Sequence, residues 1–193
     1  MQPSDDELMF QCRSGNAQAM DLLVSRYYRR VYAFCYRMLH HRESAEDVAQ
    51  ETLLRAYRYS HRYRADGRFS TWLFAIAANL CRTELSKRSR RSECAWEDLG
   101  EMQAPGSVEG TAMLRLDGRA VRQALDRLSP DQRIALVLFY FEGMSYQDIA
   151  QVCNCALGTV KSRMHHGIAK MRVLLPALAS VPEPAVTLGG ARS

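Results

Sequence analysis

The stretch whose reading decides the fold runs from Ser145 to Arg172, SYQDIAQVCNCALGTVKSRMHHGIAKMR. Its spacing fits a helix-turn-helix. Such a unit needs a small residue inside the first helix so that the second can cross closely, and Ala150 supplies it. It needs a turn residue that tolerates positive φ, and Asn154 stands four residues on; asparagine is among the few non-glycine types that visit the left-handed region readily. It also needs an apolar residue facing inward from the second helix, and Val160 stands ten residues after Ala150. The second helix then turns Leu157, Val160, Met164 and Ile168 toward its partner and presents Thr159, Lys161, Ser162, Arg163, His165 and His166 as polar positions. Lysine and arginine contact phosphates and guanine edges, while serine and threonine bond bases or backbone. A helical hairpin with a merely solvated basic face satisfies the same pattern.

Working outward, Ser129-Pro130-Asp131-Gln132 is a strong helix start: serine as N-cap, proline at the first position, glutamine three residues after the cap. Gly143 ends that helix, and Ser145 with Asp148 caps the next. A helix carrying Val121, Leu125 and Leu128 precedes them. Nearer the N-terminus, Ala19, Leu22, Leu23, Tyr27, Val31, Phe34, Cys35, Met38 and Leu39 form one long apolar stripe at helical spacing. Ser44 followed by Asp47 reads as a capping box opening a helix through Tyr59. Asp66-Gly67 marks a turn, and a further helix runs from about Ser70 to Arg90 with Trp72, Leu73, Ile76, Ala77 and Leu80 inward. No stretch alternates apolar and polar residues as a strand does. The expected fold class is all-α.

The 193 residues carry 26 Lys+Arg against 21 Asp+Glu, and the net +5 is unevenly placed. Glu43, Glu46, Asp47 and Glu51 stand without a basic residue among them, whereas Arg82, Lys87, Arg88, Arg90 and Arg91 are opposed only by Glu84. From Glu93 to Glu109 every charge is acidic, and Pro105, Gly106 and Gly110 interrupt any period. That segment reads as a flexible acidic linker. The expected organisation is therefore two small helical domains, 5–92 and 113–176, joined by a linker at 93–112 and followed by a flexible tail at 177–193.

Three motifs together carry a resemblance. Gly158-Thr159-Val160-Lys161-Ser162-Arg163, with the helix starts at Ser129 and Ser145 before it, resembles region 4 of the extracytoplasmic-function (ECF) sigma factors of the sigma-70 family. Asp47-Val48-Ala49-Gln50-Glu51-Thr52-Leu53-Leu54-Arg55-Ala56-Tyr57 is similar to their region 2.2 helix, and Phe69-Ser70-Thr71-Trp72-Leu73-Phe74-Ala75-Ile76-Ala77-Ala78-Asn79 to their regions 2.3 and 2.4. The match spans about 160 residues in the right order.

The resemblance implies a subunit that directs RNA polymerase core, through its beta and beta-prime subunits, to promoter DNA. Asp47, Gln50, Glu51 and Leu54 would bind the polymerase clamp, offering acids and an amide to a basic helical partner. Arg62, Tyr63, Arg64, Phe69, Thr71, Ala75, Asn79, Arg82, Lys87 and Arg88 would read the −10 element as a melted strand. One base is extruded there, and Arg62, Tyr63, Arg64, Phe69 and Arg68 offer the positive charge and aromatic surface that such capture needs. Tyr63 and Phe69 suit a core equally well. Thr159, Lys161, Ser162, Arg163, His165 and His166 would read the −35 duplex, so that Arg163→Ala removes about one phosphate from the salt dependence. The sequence departs from the family at Ala156, His166 and Ile168, where Pro, Arg and Arg are common, which weakens the expected phosphate clamp. An anti-sigma factor is an implied partner.

No catalytic constellation is legible: there is no glycine-rich phosphate loop, no GxSxG and no CxxC, and no enzyme activity, metal or cofactor is expected. Of six cysteines, Cys35, Cys81, Cys153 and Cys155 sit at apolar helical positions, and Cys94, beside the basic run, is the one expected to be exposed. The N-terminus MQPSDDELMFQC is acidic rather than leader-like, and no apolar run is long enough for a membrane span, so a cytoplasmic site is expected. A stand-alone helix-turn-helix repressor or activator, or a cysteine-based metal or redox sensor, remains compatible with the residues alone.

Overall fold

The structure, a computed structural model, describes residues 3–65, 68–92 and 118–176, with side chains described only to residue 90 in the second span. The expected turn at Asp66-Gly67, the acidic linker, Cys94, the Arg91 side chain and the tail lie outside the described residues. Every element described is helical: α1 (Asp5–Arg13), α2 (Ala17–Leu39), α3 (Arg42–Arg58), a 3₁₀ turn (Ser60–Arg62), α4 (Phe69–Ser92), α5 (Gly118–Asp126), α6 (Pro130–Glu142), α7 (Tyr146–Cys153) and α8 (Leu157–Leu174). The chain divides into two units at Glu84/Leu85, within α4.

In the first unit α2 packs along α3, and α1 lies against α2 and the 3₁₀ turn. The stripe on α2 forms its core face, with Leu23, Val31, Phe34, Cys35 and Met38 fully buried. Leu22 departs from expectation and is 46% exposed. Leu22 points about 100° round the helix from Leu23 and falls outside the face that is covered there. Residue His40 then adopts the left-handed conformation (φ 51°) and ends α2. The sharp reversal lets α3 begin earlier than the Ser44 reading implied: His41 is the N-cap, its Nδ1 accepting from the Ser44 N–H at 3.3 Å. On α4, Phe69, Leu73, Phe74, Ala77, Ala78 and Cys81 are buried, while the expected inward residues Trp72, Ile76 and Leu80 are only half-buried.

The second unit follows the sequence reading closely. Val121, Leu125 and Leu128 are buried in and just after α5. The capping box at α6 is formed, with Ser129 Oγ accepting from the Gln132 N–H and Gln132 Oε1 from the Ser129 N–H. Gly143 closes α6 at φ 66°, and Ser145 with Asp148 caps α7 in the same reciprocal way. Asn154 takes the left-handed turn at φ 47°, and Val160 is fully buried where α8 crosses. Gly167 is on the side of α8 that meets α6; a Cβ there would sit 3.1 Å from Leu136 Cδ1.

Candidate nucleic-acid and polymerase interfaces

The second unit presents its polar residues as a helix-turn-helix should. Packing Val160, Met164, Gly167, Ile168 and Met171 inward leaves Thr159, Lys161, Ser162, His165 and His166 exposed on α8. His166 is held by its own helix: Nδ1 lies 2.8 Å from the Ser162 carbonyl oxygen, so that nitrogen is the donor. Its ring meets His165 edge-on at 5.6 Å. Residue Arg163 is placed differently from the exposed position expected of it. It is half-buried, and its Nη2 donates to Asp131 Oδ2 on α6 at 2.5 Å while Nη1 reaches Cys155 Sγ at 3.5 Å. One turn from Val160, it lies at the edge of the buried stripe, where a long side chain is drawn to the carboxylate on the neighbouring helix.

The expected −10 residues fall into two groups. Arg62, Arg64 and Arg68 are exposed, with the Arg62 guanidinium 5.0 Å above the Tyr59 ring. Asn79 is exposed on α4, its Oδ1 accepting from Arg82 Nη1 at 2.9 Å; Lys87 is exposed, and Ala75, Arg82 and Arg88 are half-buried. By contrast Tyr63, Phe69 and Thr71 are 6%, 2% and 6% exposed and face inward. For Tyr63 and Phe69 these burials select the core reading that the sequence left open beside open stacking, and they correct the picture of Thr71 as strand-facing. The physical reason is an aromatic cluster at the start of α4. Phe69 meets Tyr27 edge-on at 5.1 Å and Tyr63 at 5.8 Å, and Tyr63 packs on Trp72 at 5.3 Å. Thr71 shares its side of α4 with Phe74 and Ala78, both fully buried, and its hydroxyl meets no hydrogen-bond partner among the described residues.

The tyrosine hydroxyls in that cluster end on α1, which sequence reasoning passed over. Tyr27 donates to Asp5 Oδ2 and Tyr63 to Asp6 Oδ1. Burial, then the neighbouring carboxylate, pushes each phenol well above its ordinary range. Paired acids at the head of an amphipathic segment were the available signal, but acids are ordinary in any first turn.

On α3, Asp47, Gln50 and Leu54 are exposed and Glu51 is half-buried, joined to Arg55 at 2.6 Å. Beside them α2 and α3 form an apolar groove of about 520 Å³, lined by Met20, Val24, Tyr28, Leu53 and Tyr57 with Gln50 and Leu54 on its α3 edge. Tyr28 and Tyr57 were not read from the sequence as surface residues. The signal available was the i, i+4 row Tyr28, Tyr32, Tyr36, whose rings stack at 6.4 and 6.3 Å along α2. Among the described residues no helix is long and apolar enough to cross a membrane.

A helix-turn-helix unit and a second helical unit with basic and aromatic residues define the class of two-part DNA-binding transcription proteins. Residues 23–91 match the family model for sigma-70 region 2, and residues 118–171 match that for sigma-70 region 4. The chain is 38% identical to the RNA polymerase sigma-H factor of Pseudomonas aeruginosa over 172 residues, covering 84% of this chain and 89% of that protein. It is 31% identical to the ECF RNA polymerase sigma factor SigW of Bacillus subtilis, covering 84% and 91%. Among solved structures it resembles the sigma factor RpoE of Bartonella quintana bound to the anti-sigma factor NepR, with a TM-score of 0.65 and 28% identity, covering 81% of this chain and 96% of that one. It also resembles CnrH in complex with the cytosolic domain of CnrY, with a TM-score of 0.67 and 26% identity, covering 91% and 99%. The chain belongs to the ECF sigma factors of the sigma-70 family: it is a promoter-directing subunit that works with RNA polymerase core and promoter DNA. Family membership replaces the stand-alone repressor that the residues alone left open.

Proposed function

We propose that this sigma factor reads the −35 element as duplex through the exposed face of α8 and the −10 element as a melted strand beside α4, acting by binding rather than by chemistry. The observation that carries this reading is the placement of Thr159, Lys161, Ser162, His165 and His166 together on the open side of a helix whose other side is buried behind a formed left-handed turn. Arg62, Arg64, Asn79, Arg82, Lys87 and Arg88 supply the −10 contacts, with Ala75 allowing close approach. Tyr63, Phe69 and Thr71 shape that surface from beneath, and Arg163 braces α8. Asp47, Gln50, Glu51 and Leu54, with the adjoining groove, engage the polymerase clamp.

The working domains are 5–92 and 113–176, with 93–112 as tether and 177–193 as tail. The site of action is the cytoplasm, where polymerase and chromosome meet. An anti-sigma factor holds the protein inactive by covering the polymerase-binding surface; the complex of the similar sigma factor RpoE with the anti-sigma factor NepR supports a partner of that kind. Run-off transcription with core polymerase on a library of random promoters tests the reading. A shared −35/−10 pair among initiating sequences is the expected result, and failure to stimulate any specific start sinks it.

A further inference from the structure

The first turn of α1 ties down both shoulders of the segment that leads into α4. Asp5 and Asp6 are adjacent, so their side chains leave the helix about 100° apart and reach different neighbours. Asp5 accepts from Tyr27 on α2 and, at 2.7 Å, from Arg26 Nη1, whose Nη2 donates to the Pro3 carbonyl at 2.8 Å. Asp6 accepts from Tyr63, immediately after the 3₁₀ turn. Tyr27 and Tyr63 both hold the Phe69 ring edge-on, at 5.1 and 5.8 Å. Two carboxylates, two phenols and one phenylalanine thus connect α1 to the residues on either side of Arg64 and Arg68. The helix that supplies the carboxylates precedes residue 23, where the region 2 match begins.

We infer that α1 is a positioning element for −10 recognition: Asp6 through the Tyr63 hydroxyl, and Asp5 through Tyr27, set the spacing at which Arg62, Arg64 and Arg68 meet the melted strand. The inference rests on the −10 reading above. A carboxylate only accepts and a phenol has one proton to give, so each bond fixes a direction as well as a distance. Ring packing places Tyr63 against Phe69 and Trp72, and the hydroxyl bond adds a direct link from that ring, and from the chain that carries the arginines, to α1.

The test uses holoenzyme assembled from the full chain and core polymerase. It is measured on fork-junction DNA with a duplex −35 and a single-stranded −10, and on the −35 duplex alone. Tyr63→Phe keeps the ring in its cluster and removes only the bond; Asp6→Ala removes the other partner. Each is expected to lower fork-junction affinity about threefold to tenfold, the net scale of one intramolecular hydrogen bond. Each flattens the preference among the four bases at the extruded position and leaves the −35 duplex affinity unchanged. The double variant loses no more than either single variant, because both delete one interaction. Unchanged fork-junction affinity, equal losses on both DNAs, or additive losses overturn the inference. A wild-type holoenzyme without base preference at any single-stranded position overturns the −10 reading itself, and that result is visible before any variant is made.

Discussion

The two surfaces proposed to face DNA are built in opposite ways. On α8 the side chains proposed to read DNA stand on the open side of a regular helix, and five of the six expected residues are exposed. At the start of α4, three of the ten expected residues are buried within or beside an aromatic cluster whose hydroxyls end on a separate helix. A duplex major groove accepts a helix as it comes, so the −35 surface needs only a correctly aimed cylinder. A melted strand has no fixed shape, so the surface that receives it has to supply the shape, and that takes packed residues beneath the contacts.

The largest expected effect separates the two constructions. Phe69→Ala opens a cavity beneath the α4 start and is expected to cost about 3–5 kcal/mol of stability, read as a fall in the melting temperature of the free protein. A variant that melts like wild type and loses only −10 affinity would restore Phe69 as a stacking surface. Next comes the turn that aims α8. Asn154→Ala keeps a β-carbon in the left-handed region but loses the short polar side chain that eases asparagine into it, and is expected to cost up to about 1 kcal/mol, whereas Asn154→Gly, which has no β-carbon, is close to neutral. Equal melting of the two variants would break the claim that φ 47° at this position is costly to other residues.

Two basic residues on α8 sharpen the comparison within one helix. Lys161→Ala is expected to reduce the slope of log affinity against log salt by about one phosphate. Arg163→Ala leaves that slope near its wild-type value and lowers stability by no more than about 1 kcal/mol, because its pair with Asp131 is partly open to solvent. Equal loss of slope in both variants would return Arg163 to the DNA-facing set. The smallest effect is at Thr71. Replacing its buried hydroxyl by the methyl of Thr71→Val is expected to be neutral or to stabilise by up to about 1 kcal/mol, with −10 binding retained. A loss of −10 binding at unchanged melting temperature would show the hydroxyl meeting DNA.

Much of the second unit was legible because its determinants are local. Capping at Ser129 and Ser145, the glycine stop at 143, the left-handed Asn154 and the inward Val160 each depend on residues within a turn or two. The helix class of the first unit was legible for the same reason. Its boundaries and surfaces were less so. The Ser44 cap was displaced by a reversal at His40, which ends α2 in the left-handed conformation and leaves His41 to cap α3. Leu22 was read into the α2 stripe but falls outside the face that is covered. The groove between α2 and α3 depends on which side of each helix the other leaves uncovered, and periodicity on one helix does not contain that information.

By itself the sequence determined an all-helical chain, a helix-turn-helix in the correct register, the family, and the polar residues available to meet polymerase and DNA. Those follow from spacing and short-range chemistry. Only the tertiary structure decided which of the residues are surface and which are scaffold. Tyr63, Phe69, Thr71 and Arg163 carry the right chemical groups for DNA, yet each is drawn inward by a partner distant in sequence: Tyr63 by Asp6, Phe69 by Tyr27, Thr71 by the buried side of α4, and Arg163 by Asp131. A side chain's composition states what it can bind, whereas long-range packing decides whether it is free to do so.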